Sequence, residues 1–294
     1  MKMERRAFVL LSGGLDSTTC LFKAIYDFVP ETIPWYGDHV LVADSIGEML
    51  DGLTVKEGNE GIYWVEAISI DYGQRHIKEA EYAKKTCDLL GIKHTILDVG
   101  DLLKGKSVML SKDSIGAVEV PNISYGDIKG VSPTYVPFRN GLLLSAATAH
   151  AQKWVNERIA EEAKYLFQGR LASEQSQATE EATREAGNTA GIYFGAHTED
   201  AANWAYPGCT PEFIGAMANA IYIGSYYAIR LYTPLEWLDK AEIIHLGNRL
   251  DVPYGNTWSC YKGEELHCGT CPTCRARKDG FVRAKIFDPT EYAA

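Results

Sequence analysis

Ser12-Gly13-Gly14-Leu15-Asp16-Ser17 stands directly after the apolar run Ala7-Phe8-Val9-Leu10-Leu11. A short strand-like run that breaks at two glycines and restarts as a helix has the layout of a phosphate cradle. The glycines let backbone N–H groups approach an anion closely, and the helix N-terminus behind them adds a favourable dipole. Asp16 and Ser17 then fall in the first helical turn, where an acid suits the dipole and a hydroxyl can reach phosphate or Mg2+. The loop lacks the Gly-Lys-Ser/Thr ending of a Walker A motif, which disfavours a γ-phosphate kinase or ATPase. Taken by itself, the loop also fits a tight strand-to-helix turn with no ligand.

Outward from this loop the chain alternates strand-like and helix-like segments, which predicts an α/β fold with a parallel sheet flanked by helices. Strands are expected at 7–11, 64–70, 92–99 and 190–196, and helices at 17–26, 77–90, from near Asn140, and within 234–250. Ligands of open parallel sheets gather at the C-terminal strand ends. The first loop, 71–76 and 196–200 are therefore expected to face one crevice. Two stretches read as insertions: about 30–61, and 155–189, a Glu-, Ala- and Gln-rich solvated helix or helical hairpin. The expected division is a nucleotide-binding and catalytic domain over 1–254, with the segment 255–294 packed on it.

At 46% hydrophobic and 23% charged residues, the 294-residue chain has the composition of an ordinary globular protein. No apolar run reaches the roughly 20 residues of a membrane span. The basic start (Lys2, Arg5, Arg6) precedes only five apolar residues before Ser12, so no export is expected and the location is expected to be cytoplasmic. The net charge of −10, without a basic stripe, argues against direct binding of a long nucleic acid.

Four of the seven cysteines, Cys260, Cys268, Cys271 and Cys274, crowd into the last 35 residues. Two-residue spacings let successive thiolates converge on one ion, and four sulfurs suit a closed, structural Zn2+ site. An iron–sulfur cluster competes. A redox Cys-x-x-Cys pair leaves two thiols unexplained. His267 is a possible fifth donor but reads as an outer residue. Cys20 and Cys87 fall on expected helices as buried thiols.

Other blocks carry ligand chemistry. They are 71–76 (Asp-Tyr-Gly-Gln-Arg-His), 135–140 (Tyr-Val-Pro-Phe-Arg-Asn), 195–200 (Gly-Ala-His-Thr-Glu-Asp), 206–213 (Tyr-Pro-Gly-Cys-Thr-Pro-Glu-Phe), Pro234-Leu235 with Lys240, and 257–261 (Thr-Trp-Ser-Cys-Tyr). With the first loop and the cysteines, this ordered set resembles the QueC-type ligases of the PP-loop (pyrophosphatase-loop) class, the 7-cyano-7-deazaguanine synthase family. It spans 7–281 apart from the two inserted stretches.

The resemblance implies an ATP-dependent conversion of 7-carboxy-7-deazaguanine and ammonia to the 7-cyano base, through an adenylated carboxylate and an amide, with AMP and pyrophosphate released. ATP, Mg2+ and Zn2+ are the implied cofactors, and a homodimer the implied assembly. Ser12, Gly13, Gly14, Leu15, Asp16, Ser17 and Asp71 are candidates for the nucleotide, with Asp16, Ser17, Arg139 and Lys240 as the catalytic set. A flat base wants aromatic faces and a carboxylate on its edge. Tyr135, Phe138 and Tyr206 are candidates for the faces, with Trp204 and Trp258 also considered, and Asp200 and Glu212 for the edge. Glu212 equally fits a helix cap after Pro211. The chain departs from the family at Gly208, where an acid is usual, and at Thr210, where an arginine is usual. An enzyme that stops at the amide and a PP-loop tRNA-modifying enzyme are the alternatives.

Overall fold

The computed structural model describes residues 4–28, 64–73, 77–103, 130–132, 134–168, 172–262 and 265–293. The stretch at 30–61 and residues 74–76 lie outside them. Strands β1 (Arg6–Leu10), β2 (Val65–Asp71), β3 (Lys93–Asp98), β4 (Ala190–Tyr193) and β5 (Ile229–Tyr232) form one sheet in the order 3-2-1-4-5. Every neighbouring pair is parallel.

Alternation along β1 explains why it is apolar throughout. Ala7, Val9 and Leu11 enter one core with helices α1 (Leu15–Asp27), α2 (Ile77–Leu90), α6 (Lys240–Arg249) and α7 (Pro272–Ala284). Phe8 and Leu10 enter the opposite core, beneath α3 (Arg139–Phe167) and α5 (Pro211–Gly224). A parallel strand buried on both faces reads as a continuous apolar run. β3 is an edge strand, more exposed, and its Lys93 and Thr95 satisfy the buried Glu66 carboxylate of β2 together with His150. A carboxylate that buried needs such partners.

The sheet order puts the switch point between β1 and β4, where the chain leaves the central strand in both directions. The loops after these two strands flank one crevice. The stretch read as an insertion from 155 continues α3 without a break. Trp154 and Val155 face the core, and α4 (Gln175–Glu185) packs back along the helix. Two helix starts follow from local chemistry. Thr210 caps α5 by accepting from Phe213 N, with Pro211 at the first helical position. Asp239 and Glu242 form a reciprocal capping box on α6, so this helix begins at Lys240 rather than near Pro234.

Candidate active site

The loop after β1 is shaped by Gly13, whose φ is +91°. A Cβ there would lie 2.1 Å from the Glu79 carbonyl oxygen of α2, so both the conformation and the close approach require glycine. Ser12 and Ser17 cross the turn with hydroxyls 3.0 Å apart, and Gly14 N donates to Ser12 Oγ at 3.2 Å. Leu15 turns into the core and anchors the loop from beneath. Behind the loop, Ser69 of β2 donates to the Leu11 carbonyl at 2.7 Å and meets His94 Nε2 at 2.7 Å.

Asp16, in the first turn of α1, joins a buried charge cluster across the crevice. Lys240 Nζ lies 2.7 Å from Asp16 Oδ1 and 3.0 Å from His197 Nε2. His197 follows β4, is buried, and has Asp200 Oδ2 at 3.4 Å. Burial pushes the Asp16 carboxyl up, but Lys240 and His197 outweigh it and hold the group well below its usual 3.8. Burial pushes the His197 imidazole down. The Asp200 and Asp16 carboxylates outweigh that and the repulsion from Lys240, and leave it above its usual 6.5.

A cavity of about 220 Å³ runs from this loop between β1, β2 and α3, lined in part by Ser12, Asp16, Ser17, Glu79, Arg139 and Asp200. A second, of about 230 Å³, adjoins it and is aromatic: Tyr135, Phe138, Tyr206 and Phe213 line it with Gly208. Arg139 and Asn140, at the start of α3, face both cavities. Arg139 donates to the Tyr72 hydroxyl at 3.4 Å, and Asn140 Nδ2 donates to the Gly208 carbonyl at 3.1 Å. Phe138 adopts φ 54° at the helix start and sets its ring edge-on to Phe213. The buried Tyr206 hydroxyl meets those of Ser132 and Thr134. Cys209 lies in the first cavity with its thiol pushed up by burial. A larger groove of about 610 Å³ lies elsewhere, between α3 and α4.

Of the residues singled out from sequence, Ser12, Gly14, Asp16, Ser17, Arg139, Asp200, Tyr135, Phe138 and Tyr206 line these two cavities. Lys240 reaches the site through Asp16 and lines a third, smaller cavity of about 120 Å³ on the far side of the loop. Glu212 does not come in. It sits on the exposed side of the first turn of α5, while the next residue, Phe213, faces the aromatic cavity. Asp71 ends β2 exposed, and its carboxylate caps the Gly73 N–H at 2.9 Å instead of facing the cavity. Trp204 is exposed, and Trp258 is buried in the cysteine segment. Sequence reasoning assigned no role to Glu79, Asn140 or His197. Asn140 and His197 lie inside quoted blocks and Glu79 three residues beyond one, but only the tertiary fold turns them toward the site.

The four cysteine sulfurs lie within 4.8 Å of one another, all buried. Backbone N–H groups of Lys262, Cys268, Thr270 and Cys271 donate to two of the sulfurs, Cys260 and Cys268, at 3.3–3.4 Å. Four sulfurs at this spacing fit tetrahedral Zn2+ at about 2.3 Å per bond. His267 is turned away from a donor role. Its Nε2 accepts from Ser259 N at 3.0 Å, and its ring lies on Trp258. No helix among the described residues is long and apolar enough to cross a membrane.

The family described as Queuosine biosynthesis protein QueC matches residues 51–165 and 178–285. The unmatched residues between them, 166–177, begin at the end of α3 and run into the start of α4. The chain is 33% identical to the 7-cyano-7-deazaguanine synthase of Thermoplasma volcanium, over 99% of this chain and 92% of that one. It is 35% identical to the protein of the same name from Caldicellulosiruptor saccharolyticus, over 98% and 95%. Among solved structures, the U34-tRNA thiolase NcsA of Methanococcus maripaludis covers 99% of this chain and 76% of its own. At 14% identity and a TM-score of 0.34, that likeness is too loose to bear on function.

Proposed function

The chain belongs to the QueC family, and from that premise we propose that it is an ATP-dependent ligase converting 7-carboxy-7-deazaguanine and ammonia to 7-cyano-7-deazaguanine. The observation that carries this reading is the junction at Arg139 and Asn140, which joins a phosphate-loop cavity to an aromatic one. A carboxylate is a poor electrophile, so ATP must first supply AMP as a leaving group. Ser12, Gly13, Gly14 and Ser17 hold the pyrophosphate end with Mg2+, and Asp16 and Lys240 fix the loop they flank. Tyr135, Phe138 and Tyr206 face the deazaguanine ring. Asp200 accepts from its N–H edge, and Arg139 meets the carboxylate at the junction. Ammonia attack gives the amide. A second adenylation, on the amide oxygen, lets that oxygen leave with AMP to give the nitrile. Both rounds need a site that excludes water, since water would otherwise hydrolyse the acyl adenylate.

Incubation with ATP, Mg2+, an ammonium salt and 7-carboxy-7-deazaguanine, followed by mass spectrometry of the base, is expected to show the nitrile with AMP. Gly208 favours a second reading. The residue carries no carboxylate into the aromatic cavity, and a Cβ there would meet Asn140 at 3.2 Å. An accumulating amide would assign the protein to that reading, and ATP left intact would refute both. We place the enzyme in the cytoplasm as a homodimer, on the family resemblance. A sedimentation mass near the 32.5 kDa of one chain, not twice that, would remove the dimer.

A further inference from the structure

Three carboxylates face the cavity beside the phosphate loop: Asp16, Asp200 and Glu79. Two are committed. Asp16 is neutralised by Lys240, and Asp200 stands beside His197. Glu79 is different. It lies in the first turn of α2, directly under the loop, where its own carbonyl oxygen leaves no room for a side chain at Gly13. It lines both the main cavity and the smaller one on the far side of the loop. No hydrogen bond reaches its carboxylate among the described residues. The charged and titratable groups sharing these cavities are Asp16 from α1, Tyr72 from the end of β2, Arg139 from α3, Asp200 after β4, Cys209 before α5, Lys240 from α6, Tyr261 from the cysteine segment and Arg277 from α7.

We infer that Glu79 is the catalytic base that takes protons from nitrogen during amide and nitrile formation, an assignment that rests on the ligase reading above. The proton balance demands such a group. Ammonia adding to the acyl adenylate expels AMP and gives up one proton as the amide forms. The amide then gives up one N–H proton as its oxygen takes AMP from ATP, releasing pyrophosphate. It gives up the second as the C–O bond breaks and the nitrile closes. Neither loop serine is a base, and Asp16 is too acidic in its cluster to hold a proton. Burial lifts the Glu79 carboxyl from 4.5 to about 7, offset only in part by Arg139. A base matched to neutral pH gains the most from proton transfer. Two neighbouring carboxyls driven in opposite directions, Asp16 down and Glu79 up, divide the work between holding charge and moving protons.

The test supplies the amide itself with ATP and Mg2+ and follows nitrile formation across pH, beside pyrophosphate exchange with the acid substrate and the thermal unfolding midpoint. In the wild type the rate is expected to rise with pH through about 7 and then level, because the ionised form is the base. Glu79→Gln is expected to lower nitrile formation ~10²-fold or more and abolish that rise, while exchange stays within about 5-fold and the midpoint is unchanged. Glu79→Asp is expected to recover part of the rate and the pH limb. A Glu79→Gln protein that keeps the wild-type rate and limb overturns the assignment. So does one that loses exchange and thermal stability together, which marks a structural role. A wild type that releases no AMP with either substrate overturns the ligase reading itself, a result visible before any variant is made.

Discussion

Lys240→Met is expected to lower ATP-dependent turnover at least ~10³-fold. Lys240 opens α6, the end of a helix where the dipole opposes a cation, and its side chain is only 8% exposed. Both effects disfavour its charge. The Asp16 carboxylate at 2.7 Å is the compensation, and methionine fills the same space without supplying a cation. Removing one partner of a buried pair costs about 3–5 kcal/mol when the other is left uncompensated; Asp16 keeps His197 at 3.6 Å and is 27% exposed, so the stability loss here is smaller. Here that partner sits in the turn that shapes the phosphate loop. The cluster also sets a pH window. Asp16, held below 3.8, contributes stability that is complete above that value and lost as pH falls below it. His197, held above 6.5, contributes stability that is complete below 6.5 and lost as pH rises through its raised value. Urea unfolding should therefore show weakening at both ends, with the acid limb moved to higher pH in the variant. Asp16→Asn with Lys240→Met should recover much of the stability and none of the activity, since the charge left behind is removed but the cation is not restored. Activity within ten-fold of wild type and an unchanged urea midpoint for Lys240→Met would sink the pairing.

Features dictated by neighbours in sequence were readable from the sequence, and features dictated by distant packing were not. The glycine turn after β1 and the cysteine spacing are local requirements. β1 is legible as a continuous apolar run, and β2 as a β-rich run interrupted only by Glu66 and Ser69 before its closing Asp71. β5 is hard to read because its alternation, Ile-Arg-Leu-Tyr, is only four residues long and follows the positive-φ pair Tyr226 and Tyr227. The continuity of α3 through Val155 was hidden by its solvated Glu and Lys face, although Trp154 and Val155 mark the buried stripe. Glu212 illustrates the limit for sites. Its block matched, yet a one-residue step around α5 sends it to solvent and Phe213 to the cavity. Lys240 and Asp16 are 224 residues apart, and Glu79 acquires its environment only when α2 packs beneath Gly13.

Removal of the metal from the cysteine site is expected to abolish nucleotide chemistry as well as the C-terminal fold, although the site touches no substrate. The link is mechanical. Trp258 N donates to the Gly13 carbonyl at 2.9 Å, so the segment before Cys260 is pinned to the phosphate loop. Trp258 is itself held from the metal side, its indole N–H donating to the Cys260 carbonyl at 3.0 Å and its ring packed among the cysteines. Arg277, 1% exposed and one turn beyond Cys274, braces the same segment through Thr257 Oγ1 at 2.7 Å and the Tyr254 carbonyl at 2.9 Å. Tyr254 in turn bonds Thr19 of α1 and the Ile243 carbonyl of α6. The hydrophobic cluster around the sulfurs is small, and Zn2+ binding in such sites is worth on the order of 10–16 kcal/mol. Without the ion, four buried thiols lose their partner and the brace on Gly13 goes with them. Cys271→Ser, or chelation followed by excess Mg2+, should therefore remove one equivalent of bound zinc and expose Trp258 to solvent in its fluorescence. It should also cut pyrophosphate exchange at least ~10²-fold, the equivalent of about 2.7 kcal/mol lost from the loop. The central sheet, built from other residues, should keep its secondary structure. Metal-free protein with wild-type exchange would show that the loop stands without its clasp. Bound iron with visible absorbance in place of zinc would assign the four sulfurs to a cluster instead.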